Sequence, residues 1–325
     1  MAEETTIEDF KILVPKYDNL GKNFVQAITL LLDSHKIKFI SVNYRVKSIE
    51  SFIEKIERKS YNEPLTEIED ICGVRIICYY QSDIDRIADI ISTEFNVHDS
   101  EDKEEQLKPN QFGYRSLHFI ASIKDTWTEV PNYRDLDDLK AEIQVRTILM
   151  HAWAEIEHNL AYKKQTHIPE KFKRKLFRIS AKLEEADEQF EDLKKESLAN
   201  QNELIKKFKD KTVELNNDEI NIDTLQAFLD YHFPKRKKKI ESTASLLDEI
   251  IEYKFKLGDI AKAYEKLKPH LPEIEKEVFK NSSFSKWAQV GALRTIMAIM
   301  SEEYNKRNSP TRHSQRVAWR KQYFT

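Results

Sequence analysis

Apolar residues in the first half of the chain follow two different spacings, one typical of helices and one typical of strands. Helical spacing over 7–33 predicts one or two helices, with a break between Pro15 and Gly21. A short apolar run at 37–42 predicts a strand, and helical spacing over 47–59 predicts the next helix. The chain therefore begins as an alternation of helices and strands.

The most apolar segment, ICGVRIICYY at 71–80, predicts a buried strand because β-branched and aromatic residues dominate it. We expect Asp83 to cap the helix that follows, whose apolar face ends at Phe95. The remaining elements predicted for this half are, in chain order, a polar loop at 99–110, a strand at 114–122, a polar connection at 124–138, a strand at 141–147 and a helix at 148–163.

The second half of the chain shows only helical patterns. Positions 171–210 predict one long amphipathic helix, and 219–325 predict further helices punctuated by prolines. We therefore expect an α+β fold, with a mixed β-sheet flanked by helices and an all-α C-terminal region. The predicted division places a first domain at 1–200 and a helical extension, regulatory or interacting with a partner, at 201–325.

The composition narrows the class of protein. The 325 residues are 40% hydrophobic and 34% charged, which is typical of a folded, charge-rich protein. Apolar runs fall well short of the roughly 20 residues of a membrane helix, and the acidic start lacks the features of a signal peptide. We therefore expect a cytoplasmic protein without a membrane partner, in which Cys72 and Cys78 are buried free thiols.

Cationic side chains are the candidates for binding phosphate. The five glycines form neither GxGxxG nor GxxxxGK[ST], which argues against a Rossmann site and a P-loop. Lys47, Ser51, Lys55 and Lys59 recur every four residues along the helix predicted at 47–59, so they share one face, and Arg45 and Arg58 lie beside them. Such a helix face suits a polyphosphate, although a solvated face balanced by glutamates is the ordinary interpretation.

Two charged residues border or interrupt the most apolar strand. Asp70 lies at its start, where a carboxylate is placed to hold Mg²⁺ together with phosphate oxygens. Arg75 lies inside it, and burying a guanidinium costs several kcal/mol without a partner. The partner is either a carboxylate, such as Glu67 or Asp70, or a nucleotide base on which the guanidinium stacks.

Strand alternation collects further polar side chains on single faces. Tyr114, Ser116 and His118 share one face of their predicted strand, where they are placed to stack a base and bond a sugar. Glu142 and Gln144 share one face of the last predicted strand, where Glu142 is placed to bind Mg²⁺ or to take a proton from an attacking hydroxyl. A half-exposed strand and a cross-strand ion pair are the structural alternatives.

Taken in this order, the motifs resemble the synthetase domain of the RelA/SpoT family of alarmone synthetases. The matching segments lie between 40 and 165: YRVKSIES, IEKIERK, EDICGVRI, FGYRSLHF, AEIQVRT and MHAWAEIEHNLAYK. The resemblance implies a nucleotidyltransferase-like sheet with Mg²⁺ as cofactor. It also implies an enzyme that transfers the β,γ-diphosphate of ATP to the 3′-hydroxyl of GDP or GTP, which makes (p)ppGpp.

The resemblance further implies a role for each matching residue. These roles are Arg45 and Arg75 against the adenine of ATP, Lys47, Lys55 and Arg58 on its phosphates, Asp70 and Glu142 at the metal and in catalysis, and Tyr114, His118, Gln144 and His151 at the acceptor nucleotide. Lys108, also assigned to the acceptor, begins the approach KPNQFGY, which is two residues longer than the family's Lys-x-x-Gly-Tyr. This difference leaves the choice of acceptor open.

Several alternatives stay open at this point. FGYRSLH also resembles growth-inhibiting small synthetases, whose acceptors include adenine nucleotides and the tRNA 3′ end, and the basic run KRKKK at 235–239 would suit an RNA backbone. A catalytically inactive module that binds nucleotides or RNA is the third alternative. A homo-oligomer, an antitoxin and a regulatory partner are the candidates for the C-terminal helices. About 40 residues precede the first motif, so a hydrolase domain is not expected.

Overall fold

The computed structural model describes residues 2–59, 61–102, 116–137, 139–161, 170–209, 220–280, 286–308 and 312–324. The chain divides into two compact units, Met1–Leu193 and Lys194–Thr325. Each unit has its own hydrophobic core. The two units are therefore treated separately.

The first unit contains helices and strands in alternation. In chain order its elements are α1 (Ala2–Ser34), β1 (Phe39–Val46), α2 (Ile49–Lys59), α3 (Pro64–Glu67), β2 (Cys72–Cys78), α4 (Gln81–Glu94), β3 (Asn96–Asp102), β4 (Leu117–Ser122), α5 (Asp125–Thr128), a 3-10 turn (Pro131–Tyr133), β5 (Ala141–Thr147), α6 (Ile148–Ala161) and most of α7 (Glu170–Lys209).

The strands of the described residues form one five-stranded mixed sheet in the order β1-β2-β5-β4-β3. β2 and β5 pair in parallel at the centre, and the other neighbouring pairs are antiparallel. The register of the parallel pair sets Gly73 opposite Glu142 and Arg75 opposite Gln144. The predicted mixed sheet with flanking helices is thereby confirmed.

One face of the sheet is buried beneath helices. Phe10, Leu20 and Phe24 of α1, with Ile84 and Ile87 of α4, are almost fully buried in the same core as the central strands. Burial alternates along β5, whose alternate residues from Ala141 to Thr147 are buried while those between them are half-buried. This alternation follows from the two-residue period of a strand and leaves the other face for polar side chains.

Helix α1 runs without a break, so the predicted interruption between Pro15 and Gly21 is wrong. Pro15 is exposed, and it removes only one backbone donor from the helix. Phe10 and Phe24, before and after this stretch, belong to the same core, and their burial outweighs the missing hydrogen bond. Gly21 lies directly against the ring of Tyr44 on β1, which explains why a residue without a side chain occurs there.

Two local predictions for the first unit are also wrong. The segment predicted as a polar loop, 99–110, overlaps the edge strand β3, in which no residue is buried. β3 is held by backbone pairing with β4, so its sequence shows no alternation of apolar residues. Asp83 is not the N-cap of α4, because the cap position is Tyr80 and makes no side-chain cap bond. Asp83 lies instead in the first turn of α4, where it is buried and pairs with Arg86.

The second unit is helical throughout its described residues. It contains the end of α7 and then α8 (Ile222–His232), α9 (Ile240–Glu252), α10 (Leu257–Leu267), α11 (Leu271–Val278), α12 (Gln289–Met300), α13 (Glu302–Asn308), α14 (His313–Trp319) and a π-helical turn (Arg320–Phe324). α12 is the most buried of these helices, with nine buried residues. The predicted all-α C-terminal region is confirmed for the residues described.

The basic run at 235–239 lies before α9 and is partly structural. Arg236 makes two hydrogen bonds to the buried carboxylate of Glu275 and a third to the carbonyl oxygen of Trp287. Lys238 pairs with Asp230 at 2.8 Å. Two of the five cations are therefore paired within the unit, while Lys235, Lys237 and Lys239 are exposed.

Two further findings bear on the class of protein. Cys72 and Cys78 are both buried free thiols, as predicted. Burial raises the pKa of each thiol to about 12, so both stay protonated at neutral pH. Among the described helices, none combines the length and the apolar character that a bilayer-spanning segment requires.

Replacing Gly21 with Ala should destabilise the first unit. A Cβ at this position would lie 2.1 Å from Cδ2 of Tyr44, whose hydroxyl is held by Asp18 at 2.9 Å. Overpacking of this kind costs about 1–3 kcal/mol, so thermal unfolding should shift to lower temperature. Gly73→Ala is the control, because its Cβ would meet no atom closer than 3.9 Å. Equal unfolding midpoints for the two variants would contradict the packing argument.

Candidate active site

A polar pocket opens on the sheet face that α1 and α4 leave uncovered. Its cavity volume is about 120 Å³, and it is open to solvent. Six residues predicted from the sequence line it: Arg45, Asp70, Arg75, Glu142, Gln144 and His151. The register of β1, β2 and β5 brings Arg45, Arg75, Glu142 and Gln144 together, because paired residues of neighbouring strands point to the same face. Asp70 precedes β2, and His151 lies on α6.

Glu142 lies at the centre of a hydrogen-bonded row. Its Oε1 lies 2.9 Å from Nδ1 of His118, and its Oε2 accepts a 2.7 Å bond from Gln144. Nε2 of His118 in turn lies 2.9 Å from Oγ of Ser116. Burial raises the pKa of Glu142, but the bond and charge of His118, the Gln144 bond and the charge of Lys55 outweigh it, so the pKa falls to about 2. Glu142 is therefore ionised at neutral pH.

Asp70 holds two lysines beside the pocket. Lys47 lies 3.2 Å from its Oδ2, and Lys55 of α2 lies 2.7 Å from its Oδ1. The contact with Lys55 is an ion pair without hydrogen-bond geometry, so Oδ1 is buried without a hydrogen bond. The three side chains are between 14% and 27% exposed, which strengthens their mutual attraction relative to a surface pair.

A second charged group joins β2 to α6. Arg75 donates a 2.7 Å hydrogen bond to Oε1 of Glu155, and Nδ1 of His151 lies 3.8 Å from the same oxygen. Burial and the charge of Arg75 lower the pKa of His151 below its ordinary value, so His151 is neutral at pH 7. Glu155 is the partner of Arg75, and the expectation of Glu67 or Asp70 in that role is wrong.

Buried polar atoms remain without hydrogen bonds around the pocket. Within the described residues, four such atoms belong to side chains that line the pocket: Oδ1 of Asp70, Nε of Arg75, Oε1 of Gln144 and Nδ1 of His151. Native proteins rarely leave buried polar atoms unsatisfied, and each one calls for an explanation. The carboxylate oxygen could bind a cation, and the guanidinium donor, the amide oxygen and the neutral imidazole nitrogen could bond to phosphate, sugar or base atoms of a nucleotide.

The remaining predicted site residues have different outcomes. His118 joins the pocket through Glu142, and Lys47 and Lys55 join it through Asp70. Arg58 is exposed at the end of α2 and does not line the pocket. Tyr114 and Lys108 lie outside the described residues. Glu155 was not among the predicted site residues, because its bond to Arg75 spans 80 positions of the chain and no local pattern reveals it.

The carboxylates fit a divalent cation that is shared with a phosphate ligand. Asp70 and Glu142 line the same pocket, and Oδ1 of Asp70 has an oxygen lone pair that no hydrogen bond uses. The described residues contain no cluster of three or more metal-binding side chains. Two carboxylates without a closed cage are typical of Mg²⁺ sites that use substrate phosphates as further ligands.

Comparison with known proteins agrees with this geometry. The profile of the family described as "Region found in RelA / SpoT proteins" matches residues 44–167. The GTP pyrophosphokinase YwaC of Bacillus subtilis is 33% identical over 204 residues, which cover 94% of that protein and 59% of this chain. The chain belongs to the RelA/SpoT family. The GTP pyrophosphokinase YjbM of the same organism is 36% identical over 169 residues, which cover 75% of it and 50% of this chain.

Solved structures show the same fold for this RelA/SpoT-family protein. The crystal structure of small alarmone synthetase 1 from Bacillus subtilis has 29% identity and a TM-score of 0.50, and the match covers 97% of it and 58% of this chain. Small alarmone synthetase 2 of the same organism has 30% identity and a TM-score of 0.50, covering 99% of it and 58% of this chain. The resemblance inferred from the motifs is thereby confirmed.

Replacing Glu142 with Gln should flatten the acid dependence of stability. The pKa of Glu142 in the fold is about 2, below its ordinary 4.5, so the ionised form stabilises the protein above pH 4.5. That contribution, up to about 3 kcal/mol, is lost as the pH falls through about 2. Urea unfolding should show a larger loss for the wild type than for Glu142→Gln between about pH 5 and pH 2.5. Equal losses would contradict the role of His118.

Proposed function

We propose that this protein is a nucleotide pyrophosphokinase that transfers the β,γ-diphosphate of ATP to the 3′-hydroxyl of GDP or GTP. The observation that supports this most is the pocket itself, in which cations, two carboxylates and unsatisfied buried polar atoms surround one space. Two relatives named as GTP pyrophosphokinases support the same reaction. We assign the reaction to the unit Met1–Leu193.

Cationic residues on one side of the pocket would bind ATP. Lys47 and Lys55 are held at the rim by Asp70, where they face the developing charge of a polyphosphate. Arg45 and Arg75 line the pocket on neighbouring strands, and their planar guanidinium groups suit stacking on adenine. Diphosphate transfer requires mainly positioning and charge neutralisation, so these residues can serve it without a covalent intermediate.

Residues on β4, β5 and α6 would bind the acceptor. Gln144 and His151 offer buried atoms without partners, and His118 lies one strand away from them. A pKa of about 2 makes Glu142 a weak base before substrates bind. Its first role is therefore to orient the 3′-hydroxyl by accepting its hydrogen bond. We include Tyr114, Lys108 and Arg58 in the proposed nucleotide site on the strength of the motif resemblance alone.

Asp70 and Glu142 would hold a divalent cation, for which we propose Mg²⁺. When bound, this cation neutralises phosphate charge and fixes the diphosphate relative to the acceptor hydroxyl. Lys47 and Lys55, which pair with Asp70, supply positive charge beside it. For the helical unit Lys194–Thr325 we propose a regulatory or partner-binding role.

The acceptor is tested by offering a panel of nucleotides. The purified protein is incubated with Mg²⁺ and ATP labelled on its terminal phosphates, together with GDP, GTP, ADP, ATP or bulk tRNA. We expect label on GDP or GTP. Label on an adenine nucleotide or tRNA would replace the guanine acceptor, and retention of all label in ATP would contradict pyrophosphokinase activity.

Glu142→Gln should lower kcat by about 10²–10³-fold while the protein still binds ATP. The amide keeps the shape of the side chain but removes its charge, and its single oxygen can serve only one of the two hydrogen bonds that His118 and Gln144 make with Glu142. Turnover is measured with the accepted nucleotide, and ATP binding is measured by calorimetry. Glu54→Gln on the exposed side of α2 is the matched control and should turn over normally. Full activity in Glu142→Gln would exclude it from the reaction.

A further inference from the structure

Two buried carboxylates on α7 reach the starts of two other helices. Asp187 and Glu191 are four residues apart, so they lie on one face of α7, and they are 1% and 7% exposed. The helices they reach, α6 and α4, follow β5 and β2, the two parallel strands at the centre of the sheet. Helix α7 therefore lies at the C-terminal ends of both central strands.

Asp187 acts at the junction between β5 and α6. Its Oδ2 accepts a 2.5 Å hydrogen bond from the hydroxyl of Thr147, the last residue of β5. The same hydroxyl oxygen accepts a 3.2 Å bond from the backbone N–H of Met150 in the first turn of α6. Thr147 is fully buried. Its hydroxyl oxygen caps α6, and its hydroxyl proton is directed to Asp187.

The carboxylate decides which way the Thr147 hydroxyl points. A hydroxyl has one proton to donate and can accept at its oxygen, so donation to Asp187 leaves a lone pair facing Met150 N–H. Without the carboxylate, the buried proton would be left unpaired or would turn to another acceptor, and either result weakens the cap. The negative charge of Asp187 near the start of α6 adds a favourable interaction with the helix dipole.

Helix α6 carries groups of the pocket on its first two turns. His151 lines the pocket, and Glu155 holds Arg75 through the 2.7 Å bond. The direction in which α6 leaves β5 therefore sets the distance from His151 and Glu155 to the side chains of β2. An error of about 1 Å in such a placement lowers catalysis by up to about 10²-fold.

Glu191 also contacts the start of a helix, but that helix carries no residue of the pocket. Its Oε2 accepts a 3.1 Å bond from the backbone N–H of Ser82 at the start of α4. None of the pocket-lining residues belongs to α4. The two carboxylates therefore lie on the same helix and are similarly buried, and they differ in the helix whose start each one contacts.

We propose that Asp187 is a positioning residue for the active site, which holds α6 through the Thr147 cap and thereby places His151 and the Glu155–Arg75 pair. This inference rests on the proposed pyrophosphokinase activity for its kinetic consequences. Asp187 does not line the pocket, and its proposed effect on the site passes through Thr147.

The test compares Asp187→Ala with Glu191→Ala in the full chain. Both variants should lower the unfolding temperature, because each loses a contact at a helix start. Only Asp187→Ala should lower kcat/KM for ATP by about tenfold to a hundredfold, mainly through a higher KM, since Arg75 loses its placement. Equal kcat/KM in the two variants, after correction for the folded fraction, would overturn the proposal.

Conservative variants separate positioning from general stability. Asp187→Asn keeps an oxygen acceptor for the Thr147 hydroxyl and should restore most of the kcat/KM. Thr147→Val removes the hydroxyl at nearly the same volume and should reproduce the kinetics of Asp187→Ala, and the double variant should be no worse than either single one. The proposal would be overturned if Asp187→Asn did not recover kcat/KM and if the losses of Asp187→Ala and Thr147→Val were additive in the double variant.

Hydrogen exchange gives a result that does not depend on turnover. In Asp187→Ala, and not in Glu191→Ala, backbone amides at 148–151 should exchange faster than in the wild type. If the wild type transfers no diphosphate to any acceptor, the proposed function fails while this measurement still tests the cap. Unchanged exchange at 148–151 in Asp187→Ala would overturn the positioning role.

Discussion

The pocket depends on the pairing of β2 with β5, the two strands that run parallel at the centre of the sheet. Their register sets Gly73 beside Glu142 and Arg75 beside Gln144, so the polar side chains of both strands face the same space. Parallel strands are normally buried on both faces, and here one face is covered by the core while the other is left to charged groups. A register shift of one residue would send these side chains into the core.

The same arrangement explains why charged groups tolerate partial burial here. Asp70 balances two lysines, Glu155 balances Arg75, and Glu142 is bonded by His118 and Gln144. Each charge is thus paired, which avoids most of the cost of desolvation. Among the described residues, four buried atoms that lack hydrogen bonds line the pocket, so the pocket carries a modest cost in stability that a ligand with matching polar atoms would offset.

Local pattern predicted most elements of the first unit and failed where tertiary contacts decide the outcome. The alternation of apolar and polar residues identified β5 and the face that carries Glu142 and Gln144, because a strand buried on one face has apolar residues at every second position. It missed β3, whose edge position requires no apolar side chains. The prediction of a break in α1 near Pro15 failed because the low helix propensity of proline is outweighed by the burial of apolar residues on both sides of it.

The sequence by itself determined the family, the mixed sheet and the identity of most pocket residues, since these follow from motif order and from strand and helix periods. Only the tertiary structure decided the partners: His118 with Glu142 at 24 residues of separation, Thr147 with Asp187 at 40, and Arg75 with Glu155 at 80. Periodicity states which face a side chain occupies but carries no information about which distant element covers that face. Those pairs exist because the sheet register and the packing of α6 and α7 bring separate segments together.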